Sequence, residues 1–106
     1  MKNIHKKNVL VTGAGGSIGS ELSRQVLKEK PKTLVLYEIS EFALYKIEKE
    51  LEKSSSDTDI KPILGNVMDK SRLKEVCRTF NINTIYHAAA YKHVPMVEMN
   101  TVQSIE

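Results

Sequence analysis

Apolar residues along this chain fall into short runs, separated by longer stretches in which they recur every third or fourth position. That alternation predicts strands interleaved with helices. Asn8–Thr12 is a run of the fully buried type. After it Ile18, Leu22 and Val26 recur every fourth residue while Glu21, Arg24, Gln25 and Lys28 take the other faces, which predicts a first helix ending by Pro31. Thr33–Tyr37 reads as a second strand. Ser40 is placed to cap a second helix, whose Leu44, Ile47 and Leu51 form one stripe against a charged remainder. A polar turn, "SSSDTD", leads to a third strand at Ile60–Leu64, and Pro62 assigns it to a sheet edge because proline has no N–H to give a neighbour. Leu73, Val76, Cys77 and Phe80 share one face of a third helix, with Cys77 expected as a small buried hydrophobe. "TIYHAAA" is a fourth strand that runs out into small residues.

Strands alternating with helices of this length require right-handed crossovers and a parallel sheet covered on both faces. The expectation is an α/β fold, a doubly wound parallel sheet with strand order 3-2-1-4. In such sheets ligands collect beyond the carboxyl ends of the strands, at the switch point between strands 1 and 4. "TGAGGSIG" and "HAAAYKH" both fall at that edge. At the far end of the chain, "MNTVQSIE" reads as Asn100 capping a helix that opens at Thr101 and stops within two turns. Strand 4 is then expected to present an unpaired sheet edge, a template for association into dimers or larger assemblies.

Composition narrows the class without changing the architecture. The 106 residues allow a single domain, and 41% hydrophobic with 27% charged residues is ordinary globular content. The charge of +3 arises from 16 Lys and Arg against 13 Asp and Glu, interleaved except for the basic start "KNIHKK". That start reads as a solvated arm rather than a nucleic-acid surface. One cysteine excludes an internal disulfide, and three scattered histidines cannot join it in a four-ligand zinc site. The cysteine usage indicates a cytoplasmic setting, and no apolar run approaches the roughly 20 residues of a membrane span.

The glycines carry the chemistry. Gly13, Gly16 and Gly19 are spaced G-x-x-G-x-x-G, with Gly15 as an extra member, directly after a strand and opening a helix. Gly13 suits the sharp turn out of the strand. Gly16 lets main-chain N–H groups approach a pyrophosphate, and Gly19 lets the helix lie close on the sheet. A P-loop would need Lys and then Ser or Thr directly after its last glycine, whereas Ser20 and Glu21 follow Gly19. Glu38 ends strand 2, 19 residues after Gly19. A carboxylate there can accept both hydroxyls of an adenosine ribose and would repel a 2′-phosphate, which favours NAD, with NADP as the alternative. The plainer reading of Glu38 is a solvated strand end.

"VTGAGGSIGSEL", "LYEISEFALYKIEKEL" and "YHAAAYKHVPMVE" together resemble the extended short-chain dehydrogenase/reductase family. Within it they resemble the polysaccharide-biosynthesis nucleotide-sugar 4,6-dehydratases and epimerases, the third stretch being the most specific. The resemblance runs from about Lys7 to the end. It implies a Rossmann-type NAD(P)-binding domain, residues 1–106 being the amino-terminal part of a longer enzyme that acts on a UDP-linked N-acetylhexosamine for surface polysaccharide. In such a dehydratase, oxidation at C4 passes hydride to the nicotinamide, water leaves across C5 and C6, and the hydride returns to C6. An epimerase returns it to C4. The implied cofactor contacts are Gly13, Gly15, Gly16, Ser17, Ile18 and Gly19 in the loop, Glu38, Asn66 and Val67 after strand 3, and Ala88, Ala89, Ala90 and Lys92 after strand 4.

The sequence departs from that family in three places. Asn66 stands where an acidic residue usually meets the adenine, although its carbonyl oxygen can still accept from the adenine amino group. Glu38 stands where Asp is commoner. No Tyr-x-x-x-Lys of the required context follows strand 4: Tyr45 and Lys49 have the spacing but belong to the second helix. No catalytic residue is therefore assigned, and the chain alone is expected to be inactive. Lys92 and His93 could reach the cofactor's nicotinamide ribose or phosphates, or the substrate's diphosphate, or could simply be solvated. The expected partner of the whole enzyme is a nucleotide sugar, and a membrane is met only through segments outside these residues, with this domain on the cytoplasmic side. A non-catalytic dinucleotide-sensing module is the reading from a different class.

Overall fold

The computed structural model of the chain describes residues 4–54 and 57–88, together with the backbone of 97–99. The elements follow in the expected alternation: β1 (Asn8–Thr12), α1 (Ser17–Lys28), β2 (Thr33–Glu38), α2 (Glu41–Ser54), β3 (Asp59–Leu64), α3 (Lys70–Thr79), β4 (Thr84–His87) and β5 (Val97–Met99). They form one sheet in the order β3-β2-β1-β4-β5. The first four strands are mutually parallel, in a register that sets Leu10 beside Val35 and Ile85.

Period-two alternation sorts the strands between two cores. Val9, Val11, Leu34 and Leu36 point to one face, where they meet Leu22 and Val26 of α1 and Leu44, Ile47 and Leu51 of α2. Leu10, Val35, Tyr37 and Ile85 point to the other and meet Leu73, Val76 and Cys77 of α3. A strand buried on both sides favours apolar residues throughout, and β2 is buried along all six, with polar groups only at its ends, Thr33 and Glu38. Cys77 is fully buried, and the apolar surroundings push its thiol up to about 11. β3 lies at the sheet edge as Pro62 requires, with every residue at least partly exposed.

Local chemistry sets the helix starts. Ser40 caps α2, its Oγ accepting from Ala43 N–H at 3.2 Å. Asp69 caps α3 by accepting from Arg72 N–H. α1 opens on Gly16 with no side chain capping it.

Two expectations need correction. The edge of β4 is not open: β5 pairs with it antiparallel, Ile85 opposite Met99, Tyr86 opposite Glu98 and His87 opposite Val97. The sheet is thus mixed at that end, and the argument for association through a bare β4 edge loses its premise. Ile18, first of the recurrent apolar positions of α1, is 56% exposed, because the opening turn of the helix stands beyond the edge of the sheet. The expected helix from Thr101 and its Asn100 cap lie outside the described residues. Among the described residues no helix is long and apolar enough to cross a membrane.

Candidate functional site

The turn out of β1 begins at Gly13, whose φ of 63° lies in the left-handed region that glycine enters without a Cβ penalty. The chain then folds back on itself, Gly16 N–H donating to Gly13 O at 3.0 Å, and enters α1 at Ser17. A Cβ at Gly19 would overlap the carbonyl of Gly13 and press on the Cα of Ala14. Gly19 therefore does permit close packing, but what it lies against is the backbone of its own loop. Gly16 is different: a Cβ there would make only an ordinary 3.5 Å contact with Gly13 O and otherwise point into open space.

Gly15, unassigned by spacing alone, has a definite place. A Cβ on it would stand 2.6 Å from Ala43 Cβ, so the loop rests directly on the first turn of α2. Its N–H donates at 2.7 Å to Oε1 of Glu38, while Oε2 of the same carboxylate accepts from Ser40 N–H at 3.0 Å. Glu38 is only 7% exposed. A buried carboxylate has to be partnered, and both partners here are main chain. This rules out the solvated strand end.

A cleft of about 280 Å³ opens at this carboxyl edge of the sheet. Of the residues expected in the site, Gly13, Gly16, Glu38, Asn66, Val67 and Ala88 line it. Ser17 and Ile18 are exposed at the start of α1 beside it, and Gly15 and Gly19 shape the loop from behind. Ala89, Ala90 and Lys92, with His93, lie outside the described residues. Tyr37, Ile39, Gly65 and Met68 also line the cleft and were not expected. Gly65 follows β3 so closely over Tyr37 that a Cβ would overlap the ring. The fifth glycine of the chain, directly after a strand, was the available signal. Ile39 and Met68 are 63% and 67% exposed, large apolar side chains facing water at the mouth.

The opposite side of the cleft is tied by Thr12. Its Oγ1 accepts from Ala88 N–H at 3.1 Å and lies 3.2 Å from Nδ1 of His87. Burial lowers the pKa of His87 and favours its neutral ring. Tyr45 and Lys49 do not line the cleft; the ammonium sits 5.3 Å from the centroid of the exposed Tyr45 ring, a cation–π contact along α2. Among the described residues no group of three His, Cys, Asp or Glu side chains could hold a metal ion.

What the edge offers chemically is a run of unpaired donors beside a fixed carboxylate. The first N–H groups of any helix lack intrahelical acceptors. At α1 no side chain supplies one, and the adjoining backbone is bare. Such a start suits a diphosphate. The carboxylate of Glu38 keeps acceptor positions beyond the two its backbone partners use.

Comparison with known proteins agrees with this geometry. Residues 9–106 match the family described as polysaccharide biosynthesis protein. The chain is 42% identical over 105 residues to the capsular polysaccharide biosynthesis protein CapD of Staphylococcus aureus, covering 98% of this chain and 18% of that protein. It is 32% identical over 103 residues to a UDP-N-acetylglucosamine 4,6-dehydratase (inverting) of Campylobacter jejuni, covering 96% of this chain and 29% of that one. The chain thus spans less than a third of these relatives. Among solved structures, an NAD+-bound xylitol dehydrogenase superposes with a TM-score of 0.69 at 27% identity, over 86% of this chain and 36% of that one. On its Rossmann-type sheet of the short-chain dehydrogenase/reductase kind, this chain belongs to the polysaccharide biosynthesis protein family.

Proposed function

We propose that the chain is the NAD-binding part of a nucleotide-sugar 4,6-dehydratase of surface polysaccharide biosynthesis, acting as a whole on a UDP-N-acetylglucosamine-type substrate. The observation that carries the reading is the pairing of an uncapped helix start with the buried, main-chain-anchored carboxylate of Glu38 across one cleft. A dinucleotide has a diphosphate for the first and a ribose diol for the second. The dehydratase named among the relatives and the NAD+ in the superposing dehydrogenase support the same assignment.

In this reading the N–H groups of Ser17 and Ile18 hold the pyrophosphate, and Gly16 leaves the approach clear. Glu38 accepts from the two ribose hydroxyls and repels a 2′-phosphate. Ile39 and Met68 lie at the mouth as apolar walls for the adenine, with Asn66 accepting from its amino group. The bound nicotinamide would take a hydride from C4 of the sugar and later return it. Nothing in the described residues is placed to move the accompanying proton, so the chain alone holds cofactor and turns over nothing. In this reading the whole enzyme works on the cytoplasmic side.

Titration with NAD and NADP tests the reading. NAD should bind the more tightly, and Glu38→Ala should narrow the gap by weakening NAD more than NADP. Equal affinities in the unmodified chain would refute the role of Glu38. Incubation with UDP-N-acetylglucosamine and NAD should give no 4-keto product, and turnover above the blank would refute the assignment of a purely binding role.

A further inference from the structure

Two contacts of the glycine loop have no place in cofactor recognition as such. Gly15 sits against Ala43 with no room for a Cβ, and its N–H is spent on Glu38 rather than left for a ligand. Both tie the loop to the β2–α2 corner. We infer that Glu38 and Ala43 are positioning residues that dock the glycine loop onto α2, so that its outward donors at Ser17 and Ile18 are held in place before any ligand arrives.

The length of the Glu38 side chain is part of the device. An aspartate at this place would bond the N–H two residues ahead readily, as Asp does in tight turns. It could therefore keep Ser40. Spanning from the end of β2 to Gly15 at the same time takes the extra methylene. Glutamate here bridges two segments 23 residues apart in the chain, where aspartate would serve only the nearer one. Ala43 supplies the second half. It is the residue that Gly15 touches, and its small side chain leaves the loop room to come down. A branched residue there would lift the loop without altering any charge.

The loop contact stands apart from the cofactor assignment; its effect on affinity rests on that assignment. Amide hydrogen exchange on the ligand-free chain reads the contact directly. In Glu38→Ala the amides of Gly15 and Ser40 should exchange on the order of tenfold faster or more, each having lost a charged acceptor. In Glu38→Asp only Gly15 should be released. The amides of Ile82 and Asn83, bonded at the far end of the sheet to Cys77 O and Asn8 O, serve as controls and should not change. Ala43→Val should release Gly15 and lower NAD affinity on the order of tenfold, the size of one lost charged hydrogen bond, with the controls steady. Undiminished protection of Gly15 in Glu38→Ala or Glu38→Asp would overturn the inference. So would equal acceleration of the control amides, or unchanged NAD affinity in Ala43→Val. If the unmodified chain takes up no NAD, the cofactor reading falls and the exchange of Gly15 still decides the docking.

Discussion

Two clefts of the same size, about 280 Å³ each, lie at opposite ends of the sheet. The one at the carboxyl edge is entered by a helix start and bordered by a buried carboxylate whose oxygens are both anchored. The other lies between the carboxyl-terminal turns of α1 and α2, lined by Arg24, Lys28, Lys30, Glu50 and Asp57. There the charges neutralise one another at the surface: Arg24 bonds both Glu50 and Glu21, all three well exposed. Helix ends of that polarity offer carbonyls, already faced by the lysines of the last turn. Volume does not separate the two clefts. The difference lies in whether polar groups are consumed by their neighbours or held in position with capacity to spare.

The largest test of the contrast is Gly19→Val. The new side chain would collide with the Gly13 carbonyl, and the loss of stability should be about 3 kcal/mol, read as a lower urea midpoint. Gly16→Val should do the reverse, leaving the midpoint near that of the unmodified chain while abolishing NAD uptake, because its branched carbon would stand where the pyrophosphate comes in. A variant that still binds would show that Gly16 is not the point of closest approach.

A smaller effect is expected at Thr12. Thr12→Val removes the partner of His87 and one of two acceptors of Ala88 N–H, the Thr12 carbonyl remaining as the other, and should cost about 1 kcal/mol. The titration of His87 runs in a defined direction. Its folded pKa is lowered, so the neutral ring adds stability that is fully present above the ordinary histidine value near 6.5 and drains away as the pH falls below it. His87→Gln should flatten that part of the stability profile, and an unchanged slope would place its origin elsewhere. Smallest of all is Arg24→Ala in the second cleft. Exposed ion pairs of this kind contribute little, so neither the midpoint nor NAD affinity should move measurably.

Much of the framework is legible because it follows from local rules. Pro62 marks an edge strand since it cannot donate, Ser40 marks a helix start since its hydroxyl can, and the order of the parallel strands follows from crossover handedness. Glu38 was legible as an acidic strand end, but not as a buried bridge. Its partners become visible only when loop and helix are placed side by side. Gly15 shows the same limit: its neighbour Ala43 lies 28 positions further along, and no spacing within the loop announces it. β5 escaped for another reason. Three paired residues are too few for a period, and Asn100 directly after them reads as the cap of a further helix.

The central place of β1 also bears on the order in which this chain can fold. β1 precedes both of its neighbours in sequence, and its second flank waits for β4, whose contacts with it join residues 75 apart. During synthesis β1, β2 and β3 can assemble with α1 and α2 while the other side of β1 stays bare. Closing that side is the most distant pairing of the sheet, and the loop entropy for it is lost before any contact repays it. The α1/α2 core is thereby expected to form first, with Leu10 and Val35 left uncovered until Leu73, Val76 and Cys77 arrive on α3 and β4 follows. A ribosome that pauses before residue 88 would hold a half-covered sheet, and chaperones that recognise exposed apolar strands would find their substrate at that length.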